Sequence, residues 1–336
     1  EGTGAIYSNT AHLSFGYNDA TAGTNTTYMT EKSYWYKKSS YLVYAIRYCD
    51  SEFCSAWKYE WADNGLSADY PATLTITSVL LGTSLSTAEA QSQYGTTESN
   101  WTSLFDDLQF VNGNDEAHGA VRRVICSRGY AYASGSEPGS TTNPGNNGQY
   151  WSATSHNADD AYLLAFRKPS TPNVNLQFGT ATYGRPIRLF RDKLQAGSVD
   201  LSKAASQTNN PLYYMAENNY NGSGFYTDNN YNSSSYWMCN WYYAYNNRNT
   251  TYTISSKNYH IGSNAEWLGV IPQSSPTAAT YNNPLEYPET GAVIKNGDRT
   301  IPNSISVYIT TGNITDSGTD PGAWTTYAVQ IGRAHV

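Results

Sequence analysis

Side chains that could do chemistry are sparse in this sequence, and none stands in a spacing that defines a reactive centre. The cysteines are Cys49, Cys54, Cys126 and Cys239, with no CxxC pair and no Cys/His spacing suited to zinc. Cys49 and Cys54 are close enough for a short-loop disulfide in an oxidising compartment, and equally compatible with two independent buried thiols. His12, His118, His156 and His260 are isolated from one another. Asp159 and Asp160 are adjacent at the start of an apolar run, and neighbours in a strand point to opposite faces, so they do not form an acid pair. No HExxH, GxSxG or phosphate-binding glycine loop is present. These patterns predict no catalytic residue, no metal site and no cofactor.

The elements that would position any site are built from an unusual palette. Charged residues make up 14% of the 336, against roughly 25% in an average globular protein. Aromatics are also 14%, 31 of them Tyr, and disordered chains lack aromatics, so the chain is expected to fold despite a mean hydropathy of -0.58. Tyr, Ser, Gly and Asn are also the residues of antibody loops, where Tyr supplies rigid area and the others adaptable hydrogen bonds. A net charge of -7, with no basic cluster beyond Arg122-Arg123, argues against a nucleic-acid partner. No apolar stretch approaches the ~20 residues of a membrane span, so no transmembrane segment is expected.

Alternation and turn residues predict strands at Ser39–Tyr48, Phe53–Trp61, Ala72–Gly82, Gly119–Tyr130, Gln149–Thr154, Ala161–Phe166, Asn173–Phe178, Tyr183–Asp192 and Pro211–Tyr220. Helical spacing joins Trp101, Leu104, Phe105 and Leu108. It also joins Trp237, Met238, Trp241, Tyr242 and Tyr245, behind the cap residues Ser233–Ser235. Ser263 and Glu266 have the spacing of a capping box opening a helix over Ala265–Ile271. Trp57, Trp61, Trp151 and Trp267 fall inside patterned elements and are expected in the core. Tyr220, Tyr226 and Tyr231 are the better candidates for surface contact.

Gly4-Ala5-Ile6 and Tyr44-Ala45-Ile46 recur in order as Gly291-Ala292-Val293 and Tyr327-Ala328-Val329, suggesting a repeat of about 285 residues. The last six residues, Ile331–Val336, spell one frame of a common sequencing adapter and are expected not to belong to the protein.

The run GQYWSAT…DDAYLLAF…NVNLQF…YGRPIRLFRD, over residues 148–192, resembles the signature of the major paralogous domain family known as FISUMP. The segment YHIGSNAEWLGVIP resembles that family's second landmark through His260, Glu266 and Trp267, with Ile261-Gly262 replacing the usual Leu-Pro. The CSAWKYEW and GNDEAHGAVRRV elements look like the longer version in fimbrillin-associated surface proteins of gut Bacteroidales. The resemblance implies an α+β fold, C-type-lectin-like and related to formylglycine-generating enzymes, β-rich with two short helices. The paired cysteines that those enzymes use have no counterpart context around Cys126 and Cys239. Calcium-dependent sugar binding lacks its motif as well: Ser136-Glu137-Pro138-Gly139 carries no amide at its last position.

In that family the EW landmark precedes the YWS landmark, and here the order is reversed. Residues 1–192 are therefore expected to be the back of one module, 193–208 a linker, and 209–330 the front of a following or complementing module. The chain thus reads as parts of two tandem modules or as one permuted module. The resemblance implies an extracellular or bacterial cell-surface location, with no leader in this stretch of sequence. It implies a non-catalytic adhesion module whose partner is a host or microbial surface protein or glycan, on the architecture that retroelement-diversified variable proteins also use. The alternative is a structural repeat of a pilus-like or surface-layer assembly. The expected contact residues lie around the final strands: Ser155, His156, Asn157, Asp159 and Asp160 in one turn, Arg167 and Lys168 in the next. Asn173, Asn175 and Gln177 alternate with Val174, Leu176 and Phe178 along a strand, and Thr180 and Thr182 follow it.

Overall fold

Along Leu42–Cys49 the side chains alternate in direction, yet both sets are buried: Val43 and Ala45 enter one core, Tyr44 and Ile46 another. That strand belongs to a sheet covered on both faces. The computed structural model describes residues 22–25, 32–39, 41–65, 71–131, 141–142, 145, 147–156, 160–167, 173–191, 210–226, 237–239, 241–271, 304–310 and 324–330. The protein is β-rich, and its sheets are antiparallel.

The covered sheet has seven strands, all antiparallel: β1 (Ala22–Asn25), β2 (Lys32–Ser39), β3 (Leu42–Cys49), β4 (Ser55–Ala62), β5 (Thr73–Leu80), β6 (Asn114–Asp115) and β7 (Ala120–Cys126). They lie in the order β1-β2-β3-β4-β5-β7-β6, a meander until β6 folds back outside β7. A two-stranded ribbon follows, β8 (Tyr130–Ala131) with β9 (Thr141–Thr142). The next sheet is three-stranded: β10 (Asn147–Ser155), β11 (Asp160–Arg167) and β12 (Asn173–Thr180). Two further three-stranded sheets join distant segments. One sets β13 (Leu189–Arg191) against β16 (Lys257–Ile261) and β15 (Tyr252–Ile254). The other sets β14 (Met238–Cys239) against β17 (Ser304–Thr310) and β18 (Trp324–Gln330).

The spacing points to three helical stretches and the resemblance to two; five short helices form among the described residues. The region 84–110 breaks into α1 (Thr87–Tyr94) and α2 (Glu98–Thr102), because Gly95 takes φ 50° and stops the first helix. Pro211–Tyr220 is not a strand. Asn210 caps the Leu212 N–H, Pro211 suits the first helical position, and α3 (Pro211–Tyr214) forms. The helix expected from Trp237 starts later, as α4 (Trp241–Asn246). The Cys239 N–H and C=O are already taken by Arg185 O and N, at 2.9 and 2.8 Å, which holds Met238-Cys239 extended. Among the described residues of the expected Tyr183–Asp192 strand, Leu189–Arg191 joins a sheet, and Gly184, Arg185 and Ile187 make single bridges instead. The capping box at Ser263 and Glu266 is present, opening α5 (Asn264–Val270). The linker 193–208 lies outside the described residues.

The layers follow from the burial. Helices α1 and α2 cover one face of the large sheet, where Tyr44 stacks on Trp101 at 5.5 Å. The other face carries Trp35, Trp57, Tyr59 and Trp61 against Tyr150, Leu164 and Phe166 of the three-stranded sheet and Leu212, Met215 and Trp267 of α3, its flank and α5. The far face of the three-stranded sheet presents Trp151, Leu163 and Ala165 to Ile187, Trp241 and Ile261. Trp57, Trp61, Trp151 and Trp267 are all buried, as their patterned positions predict.

Trp267 ties residues before 192 to residues after 209. It is edge-on to Phe190 at 5.3 Å and tilted against Tyr150 at 6.2 Å. Trp267→Ala leaves a large hole at this seam and is expected to lower stability by about 3–5 kcal/mol in urea unfolding. A change below about 1 kcal/mol would mean that the seam does not hold the fold.

Candidate ligand-binding site

The turn after β10 is where the expected contact residues gather. Ser155 stands opposite Ala161 and Asp160 opposite Thr180, with a register irregularity between Trp151 and Ser155 that re-aims the end of β10. The His156 N–H donates to Asp160 O at 3.0 Å and closes the turn. The His156 ring rests 3.9 Å from that of Phe178 and 5.1 Å from Tyr162. Burial lowers the His156 pKa, and the charge of Asp160 works against that shift. The imidazole is therefore neutral at neutral pH.

Arg185 lies under the same end of the sheet, buried. Its Nε donates to Gln149 Oε1 at 2.6 Å and its Nη1 to Thr180 O at 3.0 Å. Its guanidinium sits 4.1 Å from the Trp151 ring, with Tyr183 and Tyr130 at 5.5 and 5.6 Å. Tyr130 and Tyr183 stack on each other at 5.7 Å and 4°, and both are partly exposed, beside exposed Thr182. Desolvation lowers the Arg185 pKa to about 9, with Tyr130, Tyr183 and Asp160 opposing. The group stays cationic at neutral pH. Gly179 makes room for it, since a Cβ there would meet Arg185 Nη2 at 2.8 Å and Leu163 Cδ2 at 3.0 Å.

The structure thus brings together Ser155, His156, Asp160, Thr180 and Thr182. Arg167 pairs with Asn173 at the opposite end of the sheet, seven residues or about 24 Å from the Asp160–Thr180 pair. Asn175 and Gln177 lie between, opposite Ala165 and Leu163. Asn157, Asp159 and Lys168, and the side chains of Arg167, Asn173, Asn175 and Gln177, lie outside the described residues. Of the tyrosines expected to make contacts, Tyr220 is buried and edge-on to Trp237 at 5.1 Å, so it is core. Tyr226 is half-buried and accepts the Trp237 N–H at 2.7 Å; Tyr231 lies outside the described residues.

Sequence reasoning missed Tyr130, Phe178, Tyr183 and Arg185 as members of this group. The signal was the arginine in YGRP, a cation two residues from an apolar run and flanked by a tyrosine. The arrangement offers a paired aromatic face, hydroxyls, a carboxylate and a fixed cation beneath, which suits stacking and hydrogen bonding to a polar ring. Among the described residues, no group of three or more His, Cys, Asp and Glu could hold a metal ion. The loop at Ser136–Gly139 lies outside them.

The lowered His156 pKa makes a pH prediction. Below the usual histidine value of about 6.5 the unfolded chain takes up a proton that the folded chain resists. Stability is therefore expected to fall as pH drops through that value, then level off below the folded pKa. His156→Asn should flatten thermal stability between pH 7 and pH 5; an unchanged slope would place the titrating group elsewhere.

A family model described as Domain of unknown function (DUF8237) matches residues 8–190 and 207–329. No curated protein and no solved structure matches the chain.

Proposed function

We propose that this chain, which belongs to the DUF8237 family, is a non-catalytic carbohydrate-binding adhesion module of a bacterial surface with a C-type-lectin-like fold. The observation that carries the reading is the stacked, partly exposed Tyr130–Tyr183 pair over the buried Arg185, edged by Asp160, Thr180 and Thr182. Sugar rings present apolar C–H faces to aromatic rings and hydroxyls to carboxylates and threonines. A rigid aromatic pair supplies that contact at little cost in side-chain entropy.

We further propose that the segments before 192 and after 209 complete one module instead of belonging to two. The two landmarks of the FISUMP resemblance, reversed in sequence, touch in space. The Ala153 N–H donates to Gly262 O at 2.9 Å and the Asn264 N–H to Thr154 Oγ1 at 3.0 Å, while Trp267 packs on Tyr150. The family model spans both segments.

Two measurements test these readings. On a glycan array, the wild-type monomer should bind a restricted set of sugars, and Tyr183→Ala should weaken the best of them by about 3- to 10-fold, the worth of an aromatic contact. Wild-type protein that captures no glycan and assembles into filaments as concentration rises would favour the pilus-like structural reading. In calorimetry, one unit should unfold in a single transition with equal calorimetric and van't Hoff enthalpies. Two separate transitions would restore the two-module reading.

A further inference from the structure

Cys49 ends β3 and Cys54 immediately precedes β4, so the two flank the turn that joins these strands. Both side chains are buried in the same core, among Tyr34, Tyr94 and Trp101; Cys49 Sγ donates to Ile46 O at 3.7 Å, and the two thiols are near enough to shift each other's titration. The turn between them is tightly fixed. Tyr48 and Asp50 take positive φ values of 58° and 61°, where residues with a Cβ are seldom found. The Ser51 hydroxyl donates to Tyr48 O at 2.6 Å, the Cys54 N–H to Ser51 O at 3.2 Å, and the Asp50 N–H to Leu85 O at 2.8 Å. Lys32 holds the Asp50 carboxylate from the neighbouring strand at 2.6 Å. Cys49 and Cys54 are thus both buried, 5% and 0% exposed, at the base of one fixed turn.

We propose that Cys49 and Cys54 are a disulfide site, closed when the chain folds in the presence of a low-molecular-weight disulfide oxidant. In the structure both are thiols. The neighbouring Cys49 thiol lowers the Cys54 pKa, against the opposing effect of burial, while Cys54 and burial raise that of Cys49. Both thiols meet the oxidant before the core closes over them, and the exchange balances alike whichever sulfur attacks first, as here with Cys54. Its thiolate displaces one thiolate from the oxidant and leaves a mixed disulfide on Cys54. Cys49 then loses its proton and attacks the Cys54 sulfur, expelling the second thiolate. The Cys49–Cys54 bond forms, the oxidant's S–S bond is broken, and two electrons and two protons end on its two thiols. The product staples the β3–β4 turn at its base. Cys126 and Cys239 stay thiols, because each is buried away from this core.

The test uses the whole chain, unfolded under reducing conditions and refolded with a mixture of oxidised and reduced glutathione. After alkylation in denaturant and tryptic digestion, both cysteines fall on one peptide, Tyr48–Lys58. The expected product is that peptide without alkyl groups and two hydrogens lighter, with Cys126 and Cys239 alkylated. Reductant should lower the Tm of the refolded protein by about 5 °C, as expected for opening a short loop. A Cys49→Ala, Cys54→Ala double variant should lose that sensitivity to reductant. Two alkylated cysteines on Tyr48–Lys58, a lasting glutathione adduct there, or a cross-link to Cys126 or Cys239 would overturn the proposal.

Discussion

The fold depends on arginines of the large sheet reaching across a seam to close the ends of helices that come later in the chain. The last carbonyls of a helix have no partner inside it and carry partial negative charge. Helices α3 and α5 have no basic residue of their own in the last turn. Arg123, on β7, supplies the missing donors to α3 and its flank: Nε to Met215 O at 2.6 Å and Nη2 to Tyr213 O at 3.3 Å. Its Nη1 turns back to Gly113 O at 2.9 Å. Arg47, on β3, does the same for α5, with Nη1 on Val270 O at 3.3 Å, joined there by the Tyr59 hydroxyl at 2.9 Å. Burying a guanidinium is costly unless its donors are met, and a helix end is costly to bury unless its acceptors are met. Each solves the other's problem, so neither segment is comfortable without its counterpart. Desolvation lowers the Arg123 pKa to about 10, which still leaves it charged at neutral pH.

The same logic explains the tyrosine-rich, charge-poor composition. An aromatic with a polar tip can fill a core and satisfy a backbone group there. The Tyr150 hydroxyl donates to Cys126 O at 2.8 Å, and it accepts from Asn219 Nδ2 at 3.0 Å. Trp151 Nε1 donates to Cys239 O at 3.0 Å and Trp241 Nε1 to Ser152 O at 3.1 Å. These bonds cross between segments far apart in sequence, so one set of side chains supplies both apolar area and directional pairing. Asn219 also accepts from Arg188 Nη1 at 2.8 Å, and Arg188 Nη2 donates to Val124 O, which continues the network from the small sheet to the large one. Few surface charges are needed when specificity of pairing lies inside.

How far the sequence revealed this depends on whether local or distant chemistry decided each element. The strands β3 to β5 and β10 to β12 were legible, because alternation and turn residues are local signals, whereas β2 at Lys32–Ser39 was not. The capping box at Ser263 was legible for the same reason. The stretch at 211–220 misled because Tyr213, Tyr214 and Met215 have side chains suited to strands, whereas Asn210 and Pro211 decide the backbone. Met238-Cys239 misled because its extended form is imposed by Arg185, more than fifty residues earlier, which no local pattern announces. The candidate site divides in the same way. Ser155, His156, Asp160 and Thr180 are neighbours by hairpin register and could be read as a group. Tyr130, on a separate ribbon, and Arg185, beyond the last strand, come to them only through tertiary packing.

That packing also constrains where any ligand can sit. An exposed sheet face is the natural recognition surface of a half-covered antiparallel sheet, and the alternation of β12 invites that reading. Here the central strand β11 has Tyr162, Leu164 and Phe166 in one core and Ala161, Leu163 and Ala165 in another, so both faces of its sheet lie between layers. Asn175 and Gln177 occupy register positions beside that second row, opposite Ala165 and Leu163. Among the described residues, Ser155, His156, Asp160 and Thr180 are partly exposed at the end of this sheet where β10 turns into β11. That end has an aromatic pair and a buried cation behind it. A contact surface on such an end is narrow and rigid, since it is anchored by Trp151 and Arg185 in the core. Its shape is set by the same interior bonds that hold the two segments together.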